Sequence, residues 1–131
     1  MLVELRIRDY AVVEDLRLEL GPGLNVLTGE TGAGKSIIVG ALGLLLGERA
    51  SATVVRTGAE RATVEAVFDV SNLPDVSRLL EEHGFRAEDG LLILRREVAA
   101  AGRNRAWVNG SPATAGAVGD LGTSLLDLHG Q

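Results

Sequence analysis

The sequence lacks cysteine altogether, has a single lysine and contains few aromatic residues. Without cysteine, disulfides, thiolate zinc sites and cysteine nucleophiles are all excluded. The longest apolar stretch, Ile37–Leu46, is interrupted by two glycines and falls well short of the roughly 20 residues that span a bilayer. The first residues carry charges and no apolar signal segment. We therefore expect a soluble cytoplasmic protein with no membrane partner and no transition-metal site.

What is present indicates one globular domain. The chain has 131 residues, of which 46% are hydrophobic and 24% charged, and this composition is typical of a folded domain. The net charge of −5 argues against general polyanion binding, although a local arginine cluster can still bind nucleic acid. Lys35 is the only lysine among 13 basic residues, so the position of that one lysine carries information.

The hydrophobic pattern predicts an α/β fold with an antiparallel β subdomain. Glycine-rich turns separate the predicted elements, and Gly47 and Gly84 are expected to end the two main helices. The predicted strands are Leu2–Arg8, Glu14–Leu20, Leu24–Thr28, Ala62–Val70, Leu91–Val98, Arg105–Val108 and Ser124–Leu128. The predicted helices are Lys35–Leu46, Leu73–His83 and a short one within Thr114–Leu121.

The segment Gly29–Ser36 matches the phosphate-binding pattern G-x-x-x-x-G-K-[ST] in full. Its glycines let successive N–H groups face an anion, and the following helix adds the positive end of its dipole. Lys35 is expected to reach the β- and γ-phosphates, and Ser36 to offer its hydroxyl to magnesium. The pattern therefore predicts ATP with Mg²⁺. The predicted nucleotide-binding residues are Gly29, Glu30, Thr31, Gly32, Ala33, Gly34, Lys35 and Ser36, with the Glu30 carboxylate facing outward.

A complete hydrolytic site also needs a carboxylate at the end of a buried strand to hold magnesium. Asp127 is the only candidate, but just two apolar residues precede it, so a capped or solvent-facing strand residue is the preferred interpretation. No L-S-G-G-type segment occurs. The chain thus carries residues for nucleotide binding without a convincing set for hydrolysis.

Several segments together resemble the start of the RecN family of bacterial DNA double-strand-break repair proteins, which are related to SMC-type ATPases. The resemblance is densest in Met1–Arg49, around GETGAGKS and Ala41–Arg49, and in Leu125–Gln131, where Asp-Leu-His-Gly-Gln looks like a Q-loop. It implies a P-loop NTPase fold: the N-terminal lobe of a split ABC-type ATPase head, residues 1–131, ending before a coiled coil.

The resemblance also implies partners and roles. The C-terminal lobe of the same protein would supply the signature segment and magnesium aspartate, and two heads would dimerise around ATP. DNA would be bound by the full-length, nucleoid-associated protein. Gln131 would sense the γ-phosphate through magnesium or water, unless it is an ordinary glutamine. Arg56 would approach the γ-phosphate or be a solvated arginine. Tyr10–Val13 would border the adenine or cover the core. Alone, the chain should have negligible ATPase activity.

Two other functions are compatible with the sequence. The loop also resembles those of DEAH-type helicases and myosins, but the Asp-Glu-x-His box that a helicase needs is absent. A nucleotide-gated interaction module without hydrolysis is the other alternative. The hairpin residues Arg95, Arg96, Arg103, Arg105 and Trp107 could form a DNA-facing patch. A solvated hairpin with a half-buried tryptophan is the preferred interpretation of these five residues.

Overall fold

The computed structural model describes residues 2–19 and 32–129, with the backbone alone for residues 32–35 and 127–129. The predicted strand Leu24–Thr28, most of the glycine-rich loop and Gln131 lie outside the described residues. Among the described helices, none is long and apolar enough to cross a bilayer.

Six antiparallel strands form one sheet in the order β2-β1-β3-β4-β5-β6. The strands are β1 Leu2–Tyr10, β2 Val13–Glu19, β3 Arg61–Asp69, β4 Leu91–Ala99, β5 Asn104–Val108 and β6 Ser111–Ala113. The helices are α1 Gly32–Leu45, α2 Pro74–Glu82 and α3 Ala115–His129, with a 3-10 turn at Ala52–Val54. The predicted antiparallel subdomain is confirmed, with β6 as a short addition.

The two faces of this sheet differ because its strands alternate. On β3, for example, Ala62, Val64, Ala66 and Phe68 are buried while the residues between them are partly exposed. The buried residues form one core with residues of α1, α2 and α3. We call this side the covered face and the other, which carries mostly charged residues, the open face.

Tight turns lie where the sequence predicts them. Gly47 and Gly84 follow α1 and α2 with φ of 93° and 82°, the left-handed region that glycine adopts at helix ends. Asn109 and Gly110 have φ of 48° and 82° and join β5 to β6 as a two-residue hairpin.

The predicted final strand Ser124–Leu128 is wrong, because this segment belongs to α3. Val118, Leu121 and Leu125 are fully buried and lie on one helical face, at spacings of three and four residues. Gly119 and Gly122 obscure this period in the sequence. Both pack tightly on the end of α1: a Cβ at Gly122 would overlap the carbonyl oxygen of Leu45. The predicted short helix is therefore one helix of 15 residues.

Candidate nucleotide-binding site

Helix α1 begins at Gly32, inside the phosphate-binding motif. Its first turn contains no acidic residue, and Ser36 is exposed. The N–H groups of a first helical turn have no partner within the helix, and the helix dipole there favours negative charge. The start of α1 therefore suits an anion such as a phosphate chain. Gly29, Glu30 and Thr31 lie outside the described residues.

The middle of α1 is fixed against the sheet by apolar contacts and by Tyr10 of β1. Ile37, Ala41 and Leu44 are buried in the core. Gly40 faces the Tyr10 hydroxyl, and a Cβ at Gly40 would lie 2.5 Å from that oxygen. Burial of the ring, and then the charge of Glu48, raise the pKa of Tyr10.

Of the predicted adenine-bordering segment Tyr10–Val13, Tyr10 thus packs beneath α1. This matches the core-covering interpretation for that residue. Val12, at the tip of the β1–β2 turn, is 81% exposed. A contact between this turn and the adenine stays a prediction.

The C-terminal end of α1 is capped by a glycine motif at Gly47 and by the buried side chain of Arg96. The N–H of Gly47 donates to Leu44 O at 3.2 Å and that of Glu48 to Gly43 O at 3.1 Å, the pattern of a Schellman motif. Arg96 on β4 adds side-chain donors: its Nη1 donates to Leu44 O at 2.7 Å and to Glu48 O at 3.2 Å.

The sequence interpretation of Arg96 as part of a surface cluster is wrong, since Arg96 is fully buried. It lies on the covered face with Leu92, Leu94 and Val98. The alternation of β4 already places position 96 on that face, which is the signal that could have identified it. From there the guanidinium lies against the end of α1, where Leu44 O and Glu48 O accept its hydrogen bonds.

The other residues of the predicted cluster lie on the open face. The Arg95 guanidinium carbon is 5.0 Å from the centre of the Trp107 ring, and Arg95 Nη2 is 3.9 Å from Glu97 Oε2. Arg103 and Arg105 are exposed. With Trp107 they line a groove of about 820 Å³. The half-buried tryptophan matches the preferred interpretation, and DNA contact stays a prediction.

The remaining predicted site residues are Arg56, Asp127 and Gln131, which lie in different parts of the chain. The backbone N–H of Arg56 donates to Asp9 O at 2.8 Å, so Arg56 lies beside the end of β1. Asp127 lies in α3 rather than after a buried strand, so the predicted strand context for a magnesium ligand is wrong. Gln131 lies outside the described residues. Among the residues described, no group of three histidine or acidic side chains could hold a metal ion.

A family model described as "AAA domain" matches residues 4–97. The chain belongs to this family. DNA repair protein RecN of Halalkalibacterium halodurans is 47% identical over all of this chain, and RecN of Xylella fastidiosa strain Temecula1 is 46% identical over all of it. The chain spans 23% of the length of each of these relatives. The resemblance to the RecN family is confirmed.

The fold is also found in solved structures. One, described in terms of ATP-driven dimerization and DNA stimulated activation of SMC ATPases, aligns with a TM-score of 0.70 at 25% identity. The alignment covers 95% of this chain and 79% of the other. The predicted fold class, α/β of the P-loop ATPase head type with an antiparallel β subdomain, is confirmed.

Proposed function

We propose that this chain is the ATP-binding lobe of an SMC-like ATPase that acts in DNA double-strand-break repair. The observation that carries the proposal is the start of α1 inside a complete phosphate-binding motif, with no acidic residue in its first turn. The identity with RecN proteins over all 131 residues supports the repair context. We place the protein in the cytoplasm, associated with the nucleoid.

In this proposal Gly29–Ser36 surrounds the phosphates. The N–H groups of the loop and of the first turn of α1 donate to phosphate oxygens, and Lys35 places its ammonium beside the β- and γ-phosphates. The hydroxyl of Ser36 and the amide oxygen of Gln131 would hold Mg²⁺. When bound, magnesium neutralises charge on the β- and γ-phosphates. Arg56 would add a positive charge near the γ-phosphate.

We further propose that hydrolysis requires partners. The C-terminal lobe of the same protein would bring the missing magnesium carboxylate and signature segment, and two heads would dimerise around ATP. The ATP-driven dimerization of the SMC ATPases similar in fold supports this arrangement. DNA would be bound by the full-length protein. Residues 1–131 then form one lobe, for binding rather than turnover.

The binding part of the proposal is tested with the fluorescent analogue mant-ATP and Mg²⁺. The unmodified chain should bind saturably, and Lys35→Ala should weaken binding by at least about tenfold, since charge-assisted contacts contribute about 1.5–3 kcal/mol. Arg78→Ala is the matched control, because Arg78 is an exposed cation on α2, and it should bind like the unmodified chain. Binding that is insensitive to Lys35 would contradict the proposed site.

The catalytic part is tested by phosphate release. The 131-residue chain should release phosphate no faster than its Lys35→Ala variant, whereas a full-length protein with both lobes should hydrolyse ATP. Robust turnover by the isolated chain would contradict the split site. A full-length protein that binds ATP without hydrolysis above its Lys35→Ala control would favour the nucleotide-gated interaction module.

A further inference from the structure

The buried guanidinium of Arg96 connects three separate parts of the chain. Besides its bonds to Leu44 O and Glu48 O, its Nη2 donates to Asn104 Oδ1 at 2.9 Å. Asn104 in turn donates from Nδ2 to Ala50 O at 3.1 Å. The first residue of β5 and the middle of β4 are thereby joined to the end of α1 and to the segment that follows it.

A charge in this position needs an explanation, because burying a guanidinium is unfavourable. Among the side chains that the structure describes, no carboxylate forms an ion pair with Arg96. Burial, and then the neighbouring Arg49, lower its pKa. The compensation comes instead from Leu44 O in the last turn of α1, where the helix dipole favours a cation, and from Glu48 O and Asn104 Oδ1.

An apolar residue at position 96 would extend the core formed by Leu94 and Val98. Even a buried ion pair can often be replaced by well-packed apolar residues without loss of stability, so stability alone does not account for a buried arginine here. An apolar side chain has no donor for Leu44 O or Glu48 O, whereas the guanidinium donates to both.

Helix α3 holds the same end of α1 from another side. A Cβ added at Gly119 would lie 2.8 Å from the Cα of Gly47 and 2.9 Å from Leu46 O. Backbone thus packs directly on backbone at this crossing. The last turn of α1 therefore lies between α3 and the Arg96–Asn104 pair, in contact with both.

The opposite end of α1 carries Lys35 and Ser36. Its 14 residues form a rod about 21 Å long at 1.5 Å per residue. A rod that is fixed at its C-terminal end and along its side has a fixed direction. Conversely, a shift of the last turn tilts the first turn, which holds the phosphate-binding N–H groups.

We propose that Arg96 and Asn104 are positioning residues for the phosphate-binding motif, acting through α1 to set the direction of its first turn. The proposal rests on the nucleotide-binding function proposed for Gly29–Ser36. Arg96 and Asn104 lie outside the phosphate-binding motif. Substituting either of them should weaken nucleotide binding more than its effect on stability would explain.

The test compares four variants by mant-ATP titration with Mg²⁺, each at a temperature where circular dichroism shows it folded. Arg96→Met should weaken binding about tenfold and Asn104→Ala about threefold, within the usual range for residues that act on a site through intervening structure. Arg96→Lys keeps the cation and should recover part of the affinity. Leu80→Ala, in the core on α2, should lower stability more than Arg96→Met while leaving affinity unchanged.

Hydrogen exchange gives a readout that needs no ligand. Arg96→Met should speed exchange along α1 specifically, relative to α2, whereas Leu80→Ala should speed exchange in α2 first. If Arg96→Met fails to fold, Asn104→Ala decides the question by the same two measurements. Unchanged affinity and unchanged α1 exchange in the folded variants would overturn the proposal. If the unmodified chain does not bind mant-ATP, the proposed nucleotide site is contradicted instead. Hydrogen exchange along α1 would then still decide the role of Arg96.

Discussion

Arg95 and Arg96 are consecutive on β4, yet they lie on opposite faces of the sheet and in different environments. Arg96 is fully buried under the end of α1 and uses both terminal nitrogens in hydrogen bonds. Arg95 is 42% exposed in its side chain and stacks on Trp107. The same residue type thus fixes backbone on the covered face and covers an aromatic ring on the open face.

The comparison extends to the whole sheet. On the covered face, apolar side chains pack with those of three helices, and truncating one of them leaves a cavity that the surrounding residues fill only in part. On the open face, charges pair across the strands, as Arg6 with Asp15 at 3.1 Å and Arg17 with Glu4 at 3.0 Å. Exposed pairs of this kind contribute little because water and salt screen them. We expect stability to reside on one face and adjustable polar contacts on the other.

The largest effect should come from truncating the covered face. Phe68 is fully buried on β3, and Phe68→Ala should destabilise the chain by about 3–5 kcal/mol. Its neighbour Val67 is half-buried on the open face, so Val67→Ala is the matched control and should cost less than about 1.5 kcal/mol. Urea unfolding followed by circular dichroism measures both. Equal losses of unfolding free energy in the two variants would contradict the inferred difference in stability between the two faces.

A smaller effect is expected at the helix crossing that completes the covered side. Gly122→Ala places a methyl group against the Leu45 carbonyl and should destabilise by about 1–3 kcal/mol, as overpacking does. Gly116→Ala is the control on the same helix, since its nearest neighbour would be Thr114 Oγ1 at 3.8 Å. That variant should be neutral or stabilising by about 0.5 kcal/mol, because alanine favours helix. Thermal unfolding that ranks the two in the opposite order would exclude the close crossing.

Much of this architecture could be predicted from the sequence because it is local. The alternation of β3 and β4, the glycines after α1 and α2, and the motif at the start of α1 each report their own surroundings. The tail of α3 could not be predicted as easily. Its glycines pack against the end of α1, and this tertiary contact cannot be seen in the sequence. In the sequence alone, the same glycines disfavour a helix.

The candidate site divides along the same line. Lys35 and Ser36 belong to a contiguous motif, so the sequence alone is enough to predict them as site residues. Arg96 and Asn104 act on a helix about 50 residues earlier in the chain: the Arg96–Leu44 bond spans 52 positions. No local pattern reveals such a contact. Only the alternation of β4 indicates that an arginine in that register must be buried.

The smallest effect concerns pH on the open face. The hydrogen bond from Arg6, together with its positive charge, lowers the pKa of Asp15 below its ordinary value. Because the folded pKa is the lower one, this pair contributes its stability above the pKa of the unfolded chain and loses it as pH falls through the folded pKa. Asp15→Asn should therefore reduce the loss of stability between neutral pH and about pH 3.

Glu14→Gln is the control, since the Glu14 carboxylate is exposed on the same strand. Urea midpoints measured across this range in low and high salt decide the matter: the Asp15 contribution should shrink in high salt. A pH response identical in both variants would show that the Arg6–Asp15 pair adds nothing measurable to the stability of the open face.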